Sequence, residues 1–78
     1  MGMKIPLNEL KVGQTATVTE LYVKGSIRRR LRDIGLISGT AVECLFKSPG
    51  GDPTAYKIRD AVIAIRNDDA SKIAVAVN

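Results

Sequence analysis

The chain has 78 residues, of which 45% are hydrophobic and 26% are charged, and this composition predicts one folded domain over residues 1–78. Twelve lysines and arginines against eight acidic residues give a net charge of +4, which suits an acidic partner surface, nucleic acid or a membrane face. A single cysteine excludes an intramolecular disulfide, and the lack of histidine excludes a hydrolytic triad. The apolar runs are too short to span a bilayer, so we expect a cytosolic protein without membrane insertion.

The first segment predicts one helical turn followed by a bent strand. Leu7 and Leu10 have the spacing that pins such a turn to a core, and Gly13 ends it because glycine adopts the left-handed conformation without steric cost. Residues 14–23 are rich in β-branched side chains that alternate between two faces as far as Glu20. The alternation breaks there, which predicts a bulge or a strong bend.

Next comes a short helix from Ser26, a good N-cap residue, to Ile34. At 100° per residue, Ile27, Leu31 and Ile34 form a narrow apolar stripe that should face the core. Gly35 ends the helix, because it follows the last residue of that stripe.

The opposite side of this helix is basic. Arg28, Arg29 and Arg32 share it, with Arg30 on the flank and Asp33 spaced to pair with Arg29 or Arg30. For such a charge run a solvated helix face is the ordinary interpretation. However, Arg28 and Arg29 are expected in the first turn, where cations oppose the helix dipole, and a locally unfavourable choice of this kind often marks a function.

The second half predicts antiparallel strands. A tight turn over residues 36–39 leads into a strand over 40–47, in which Val42, Cys44 and Phe46 face the core. Cys44 is therefore expected to be a buried, inert thiol rather than a metal ligand.

The remaining segments complete a small sheet. They are a hairpin tip at 48–53, a return strand at 55–60, an apolar central strand at 62–66, a polar connector at 67–72 and a closing strand at 73–77 with Ile73, Val75 and Val77 inward. Within the tip, Gly50-Gly51-Asp52-Pro53 lacks the lysine and the Ser or Thr of a phosphate-binding loop. The predicted fold class is mostly β, a small barrel of about five strands with one short helix after the first strand.

The ordered set of these elements resembles the FeoA family of small proteins associated with bacterial ferrous-iron uptake. Ser38, Asp60 and Ile65 replace the proline, glycine and leucine usual in that family. The matching residues are Leu7, Leu10, Gly13, Leu31, Ile34, Gly35, Leu36, Gly39, the tip Ser48-Pro49-Gly50-Gly51-Asp52-Pro53, Ile63-Ala64-Ile65-Arg66, Ala70 and Ile73.

The resemblance implies an SH3-like barrel, without enzymatic activity or cofactor, that assists the membrane ferrous-iron permease, whose cytosolic part carries a GTPase domain. We expect Arg28, Arg29 and Arg32 to bind the partner, because they lie outside the matched pattern. The residues expected to determine the fold are Gly13, Leu31, Gly35, Leu36, Gly39, Pro49, Gly51 and Asp52.

Two other functions stay open at this point. A nucleic-acid-binding barrel is disfavoured because the chain has only three aromatic residues, Tyr22, Phe46 and Tyr56, and base stacking needs exposed rings. The second open function is a metal-sensing module, like the barrel at the C-terminus of metal-dependent repressors. Asp68 and Asp69 are adjacent, but they favour a helix start over a metal site. Exposed strand edges also allow a weak homo-oligomer.

Overall fold

A computed structural model describes residues 2–78 as one antiparallel sheet of six strands, in the order β1-β6-β2-β3-β4-β5, with a nine-residue helix inserted after β2. The elements are β1 (Lys4–Pro6), a 3-10 turn (Leu7–Glu9), β2 (Thr15–Leu21), α1 (Gly25–Asp33), β3 (Ala41–Lys47), a second 3-10 turn (Pro49–Gly51), β4 (Thr54–Ile58), β5 (Ala61–Ile65), α2 (Asn67–Ala70) and β6 (Ile73–Val77).

The mostly β fold with one inserted helix is confirmed, and one additional strand lies at the edge. β1 pairs with β6 over three residues, with Ile5 opposite Val75. Only a helical turn was predicted in this region, because three residues are too short to show a period-2 pattern and Pro6 is unfavourable inside a strand.

The bend predicted in β2 is confirmed by its pairing with β6. The register shifts between Val18 and Glu20, so the strand curls and pairs with β6 along its length and with β3 at its start. The curl lets one sheet wrap around the core. Leu7 and Leu10 are fully buried within that core, as predicted.

One aromatic residue, Phe46, does not lie where the sequence pattern predicts. Phe46 is 56% exposed, so its predicted place in the core is wrong; the register of β3 against β4 shifts between Cys44 and Phe46, which turns Phe46 outward. Cys44, before the shift, is buried as predicted, and burial raises the pKa of its thiol. The core aromatic residue is instead Tyr56, whose hydroxyl donates to the Leu7 carbonyl at 3.3 Å and whose pKa burial raises to about 12.

β5 is the second difference from the prediction. The apolar run was expected to be a central strand, yet β5 is at the end of the sheet and pairs only with β4. Its bounds are one residue earlier than predicted, since the turn before it consists of Arg59 and Asp60. An apolar run alone does not distinguish a central strand from an uncovered edge. At the end of the chain, Val77 is only half-buried, whereas Ile73 and Val75 are in the core.

Several residues expected to determine the fold lie at connections between elements. The Gly13 N–H donates to the Cys44 carbonyl at 2.8 Å, and the Gly39 N–H donates to the Val18 carbonyl at 2.7 Å. In the hairpin tip, Pro49 and Gly51 bound the second 3-10 turn. A carboxylate oxygen of Asp52 accepts the Asn67 N–H at 3.0 Å, which connects this tip to the start of α2.

None of the helices within residues 2–78 has the length and the apolar character needed to cross a membrane.

Candidate functional site

The basic helix α1 begins one residue earlier than predicted. Lys24, in extended conformation, precedes it and makes no capping bond through its side chain, so the prediction of Ser26 as N-cap is wrong. Gly25 has a φ of 70°, a left-handed value that lets the chain turn before Ser26 is reached. As a result, Arg28 is the fourth residue of α1 and Arg29 lies in the second turn. Of the two arginines expected to oppose the helix dipole, only Arg28 therefore lies near the first turn.

The apolar stripe of α1 packs against the core, as predicted. Leu31 is 5% exposed, and Ile27 and Ile34 are partly buried against the core. Leu36, just beyond the helix, is fully buried. This anchoring leaves the arginine side chains in solvent, so the geometry of the basic side is set by residues on the other side of the same helix.

The end of α1 depends on Gly35. Its φ is 96°, which side chains on L-residues rarely adopt, and a Cβ added there would lie 2.8 Å from Cδ of Arg59. Arg59 itself has a φ of 56° in the β4–β5 turn. Its side chain therefore lies against the C-terminal end of the helix, where the partial charge is negative and a cation is favourable.

A buried threonine holds the turn that follows. The Thr40 hydroxyl donates to the Gly35 carbonyl at 2.9 Å and accepts the Ile37 N–H at 3.2 Å. The Ser38 hydroxyl donates to the Thr19 carbonyl at 3.0 Å, so the turn is also attached to β2. The sequence did not predict these hydrogen bonds of Thr40 and Ser38. These bonds fix Ile37, which is 43% exposed, beside the arginine side of α1.

We define the basic groove as the cleft between α1, the end of β2 and this turn. It encloses about 340 Å³ and is lined by Glu20, Leu21, Arg28, Arg32, Leu36, Ile37 and Ser38. Its walls thus combine two guanidinium groups with apolar side chains. Nη1 of Arg28 donates to the Leu21 carbonyl at 3.2 Å, which holds this side chain across one end of the groove.

Arg29 joins the other two arginines in a second depression around the start of α1. This depression encloses about 390 Å³ and is lined by Gly25, Ser26, Arg28, Arg29 and Arg32. The structure therefore brings together the three arginines selected from the sequence, whereas Arg30 lines neither surface.

No acidic side chain forms an ion pair with these arginines within residues 2–78. The predicted pairing of Asp33 with Arg29 or Arg30 is wrong. The single ion pair within residues 2–78 joins Lys4 and Glu20, with 3.7 Å between Nζ and Oε1. A spacing of three to four residues on a helix allows such a pair. However, an ion pair between exposed side chains contributes little free energy, because water screens it and ordering the side chains costs entropy. Glu20, the acid in the basic groove, is already occupied by Lys4 and by the Tyr22 hydroxyl at 2.8 Å. That hydrogen bond is the main reason that the pKa of Tyr22 is raised.

A third cleft of about 510 Å³ continues from the basic groove past Ile37 and Ser38. Lys57 and Arg59 line it, so it adds two cations that the sequence pattern did not select. No local signal identifies them, because their proximity to α1 arises from the pairing of β3 with β4 and from the turn at Arg59. Glu43 lines the same cleft, so the cleft adds one net positive charge beside the helix.

A metal site has little support in the chemistry of the described residues. Within residues 2–78 no three His, Cys, Asp or Glu side chains are grouped so that they could hold a metal ion. Asp68 and Asp69 lie in the first turn of α2, where acids are favourable, as predicted.

Comparisons with known proteins identify the family. The FeoA domain family model matches residues 5–77. A fusion of Fe(2+) transport protein A and the Fe(2+) transporter FeoB from Porphyromonas gingivalis is 32% identical over 69 residues, which cover 88% of this chain and 8% of that protein. This chain thus spans a small part of that relative's length.

Two solved structures support the same assignment. The solution structure of FeoA from Chlorobium tepidum is 34% identical, with a TM-score of 0.90 over 94% of this chain and 70% of that one. The zinc complex of FeoA from Stenotrophomonas maltophilia, described as a prokaryotic SH3 domain protein, is 31% identical, with a TM-score of 0.72 over 97% of this chain and 89% of that one. The chain belongs to the FeoA family, which is associated with ferrous-iron transport, and the predicted SH3-like fold is confirmed.

Proposed function

As a member of the FeoA family, this protein is, we propose, a non-enzymatic cytosolic accessory of ferrous-iron uptake that binds the cytosolic, GTPase-bearing region of the iron permease. The observation that carries the proposal is the relative in which Fe(2+) transport protein A and the transporter FeoB are one chain. Fusion holds two modules at a high effective concentration, which is useful when the modules act on each other. A separate chain needs a surface with enough affinity to replace that link.

The arginine side of α1 is the surface best suited to this role. Arg29 and Arg32 make no hydrogen bond or ion pair within residues 2–78, so their guanidinium donors are available to a partner. Arg28 is already held by the Leu21 carbonyl, which lowers the conformational entropy lost when it binds. Arginine is enriched at the energetically dominant positions of protein interfaces.

The chemistry of the basic groove indicates what the partner presents. An acidic side chain would pair with Arg28 or Arg32, and an apolar side chain beside it would cover Ile37. Fixed arginines can bind a carboxylate through two parallel hydrogen bonds, which gives the contact a defined orientation. The association should be fast at low salt and weaken as the ionic strength rises.

The proposal is tested by removing the charge from α1. The Arg28/Arg29/Arg32→Ala protein and the wild type are titrated against the purified cytosolic region of the permease by calorimetry at about 0.15 M salt. We expect at least a tenfold rise in Kd, since interface arginines that dominate binding cost about 2 kcal/mol or more when truncated.

A matched control separates a specific surface from net charge. Lys11, Lys47 and Lys72 are exposed and line neither surface of α1, so Lys11/Lys47/Lys72→Ala removes the same charge elsewhere. Its Kd should stay within about threefold of the wild-type value, because distant exposed charges act only through screened long-range fields. Equal losses of affinity in both variants would mean that net charge, and not α1, governs the association.

Binding of nucleic acid is a second candidate, favoured by one observation. Tyr22, between β2 and α1, is 57% exposed and offers a ring on which a base could stack. However, the Glu20 carboxylate bonded to its hydroxyl places negative charge where a phosphate would approach. A fluorescence titration with single-stranded RNA and DNA at physiological salt distinguishes the candidates, and saturable micromolar binding that Tyr22→Ala abolishes would favour this second function.

A further inference from the structure

The outer edge of β5 carries unpaired backbone groups. β5 is the last strand of the sheet, and its residues make no backbone hydrogen bonds within residues 2–78 other than those to β4. Its sequence, Ala61-Val62-Ile63-Ala64-Ile65, has neither a charge nor a proline. Such an edge is a template for pairing with another strand unless something blocks it.

The register shows which residues present these groups. In a strand, the backbone N–H and C=O groups of successive residues point to opposite sides. The Pro53 carbonyl accepts the Ser48 N–H, so the odd-numbered residues from Pro53 along β4 direct their backbone groups toward β3. The even-numbered residues of β4 direct theirs toward β5. Ile58 pairs with Ala61 across the turn and Tyr56 pairs with Ile63. Val62 and Ala64 therefore point their N–H and C=O groups away from the sheet.

The side chains next to this edge are apolar and exposed. Val62 is 63% exposed, and Ala64 is also exposed on the same face. The row that crosses the sheet at Ala64 continues through Ala55 to Phe46, which the bulge in β3 turns outward. Ala55 is only 4% exposed, so the exposed apolar surface at the open edge consists of Val62 and Ala64, and Phe46 lies beyond the buried Ala55.

We propose that β5 pairs with β5 of a second copy of this chain, antiparallel about a two-fold axis at Ile63. This register places Val62 opposite Ala64 of the second copy, and each pair exchanges two backbone bonds, four in total. Val62 and Ala64 of the two copies then form one apolar patch across the axis.

Charge complementarity selects a second copy as the occupant. Asp60 and Arg66 flank β5 at equal distances from Ile63, and both are exposed. The two-fold register therefore places Asp60 of each copy opposite Arg66 of the other, without like charges facing each other at these positions.

The other edge of the sheet has features that prevent such pairing. β1 has three residues, one of which, Pro6, has no N–H to donate. Lys4 places a charge on this edge and is held by Glu20. Short edge strands with lysine and proline are the usual means by which proteins avoid edge pairing. β5 has none of them.

The test is sedimentation equilibrium of the full chain from about 10 µM to 1 mM. We expect reversible dimerisation with a Kd on the order of 100 µM, because one strand pair buries far less than the roughly 1,200 Å² of a stable interface. Val62→Lys should raise this Kd at least tenfold, since it charges the edge while substituting an exposed side chain. A wild type that stays monomeric at 1 mM would overturn the proposal, whatever other strand β5 accepts.

A charge swap tests the register itself. Asp60→Arg should weaken dimerisation at least threefold, because it places two cations opposite each other, and Asp60→Arg/Arg66→Asp should restore it. Failure of the double variant to recover would contradict the two-fold pairing at Ile63 even if dimers form. The Arg28/Arg29/Arg32→Ala variant should dimerise as the wild type does, which keeps this result separate from binding of the permease.

Discussion

Leu31 and Arg32 are neighbours in α1, yet Leu31 is buried in the core and Arg32 lines the basic groove. The first contributes to stability through the apolar surface it removes from water. The second makes no hydrogen bond or ion pair through its side chain within residues 2–78. The helix is thus anchored by one side, and its other side is exposed to a partner. Substitutions on the two sides should therefore separate stability from partner binding.

The largest effect should come from the buried side. Leu31→Ala should lower the free energy of unfolding by about 2–5 kcal/mol, because it removes buried methyl groups and leaves a cavity. Urea denaturation followed by circular dichroism measures the change. Arg32→Ala, one residue further on, should stay within about 0.5 kcal/mol of the wild type. A loss below about 1 kcal/mol for Leu31→Ala would contradict the assignment of this side to the core.

A smaller loss is expected at the residue that ends the helix. Gly35→Ala should cost about 1–3 kcal/mol, because alanine is strained at a φ of 96° and its Cβ would meet the Arg59 side chain. The double variant Gly35→Ala/Arg59→Ala retains the backbone strain but removes that contact, so it should recover part of the loss. If the single and double variants unfold at the same urea concentration, Arg59 does not pack against the helix end.

The smallest change in stability should come from the exposed arginines of α1. Here two neighbouring arginines, Arg29 and Arg30, can be compared with each other. Arg29→Ala and Arg30→Ala should each change the unfolding free energy by no more than about 0.5 kcal/mol. Only Arg29 lines a surface shared with Arg28 and Arg32. Arg29→Ala should therefore weaken binding of the permease region a fewfold in calorimetry, and Arg30→Ala should leave it unchanged. Equal effects on binding would show that the helix acts through its charge alone.

How far the sequence predicts this molecule depends on the range of the interactions. The stripe of Ile27, Leu31 and Ile34 and the bend near Glu20 follow local periodicity, and both were predicted from it. Phe46 was misplaced because one bulge in β3 reverses the face of every residue after it. The alternation up to Cys44 contains no sign of that bulge.

The candidate site was predictable in part for the same reason. Arg28, Arg29 and Arg32 fall on one side of a helix by spacing alone, so the sequence identifies them. Ile37 and Arg59 join the surface only through the turn held by Thr40 and through the β4–β5 turn. Such contacts depend on strand pairing between distant segments, which no local pattern encodes.

We propose above that the permease region binds the arginine side of α1. The most direct measurement is a titration of the ¹⁵N-labelled chain with the unlabelled cytosolic region of the permease, followed by amide chemical shifts. We expect the largest changes across α1 and at Leu21, Ile37 and Ser38, and they should be absent from Arg28/Arg29/Arg32→Ala at the same concentrations. Changes confined to β5 or to the hairpin tip, with α1 unaffected, would contradict the claim.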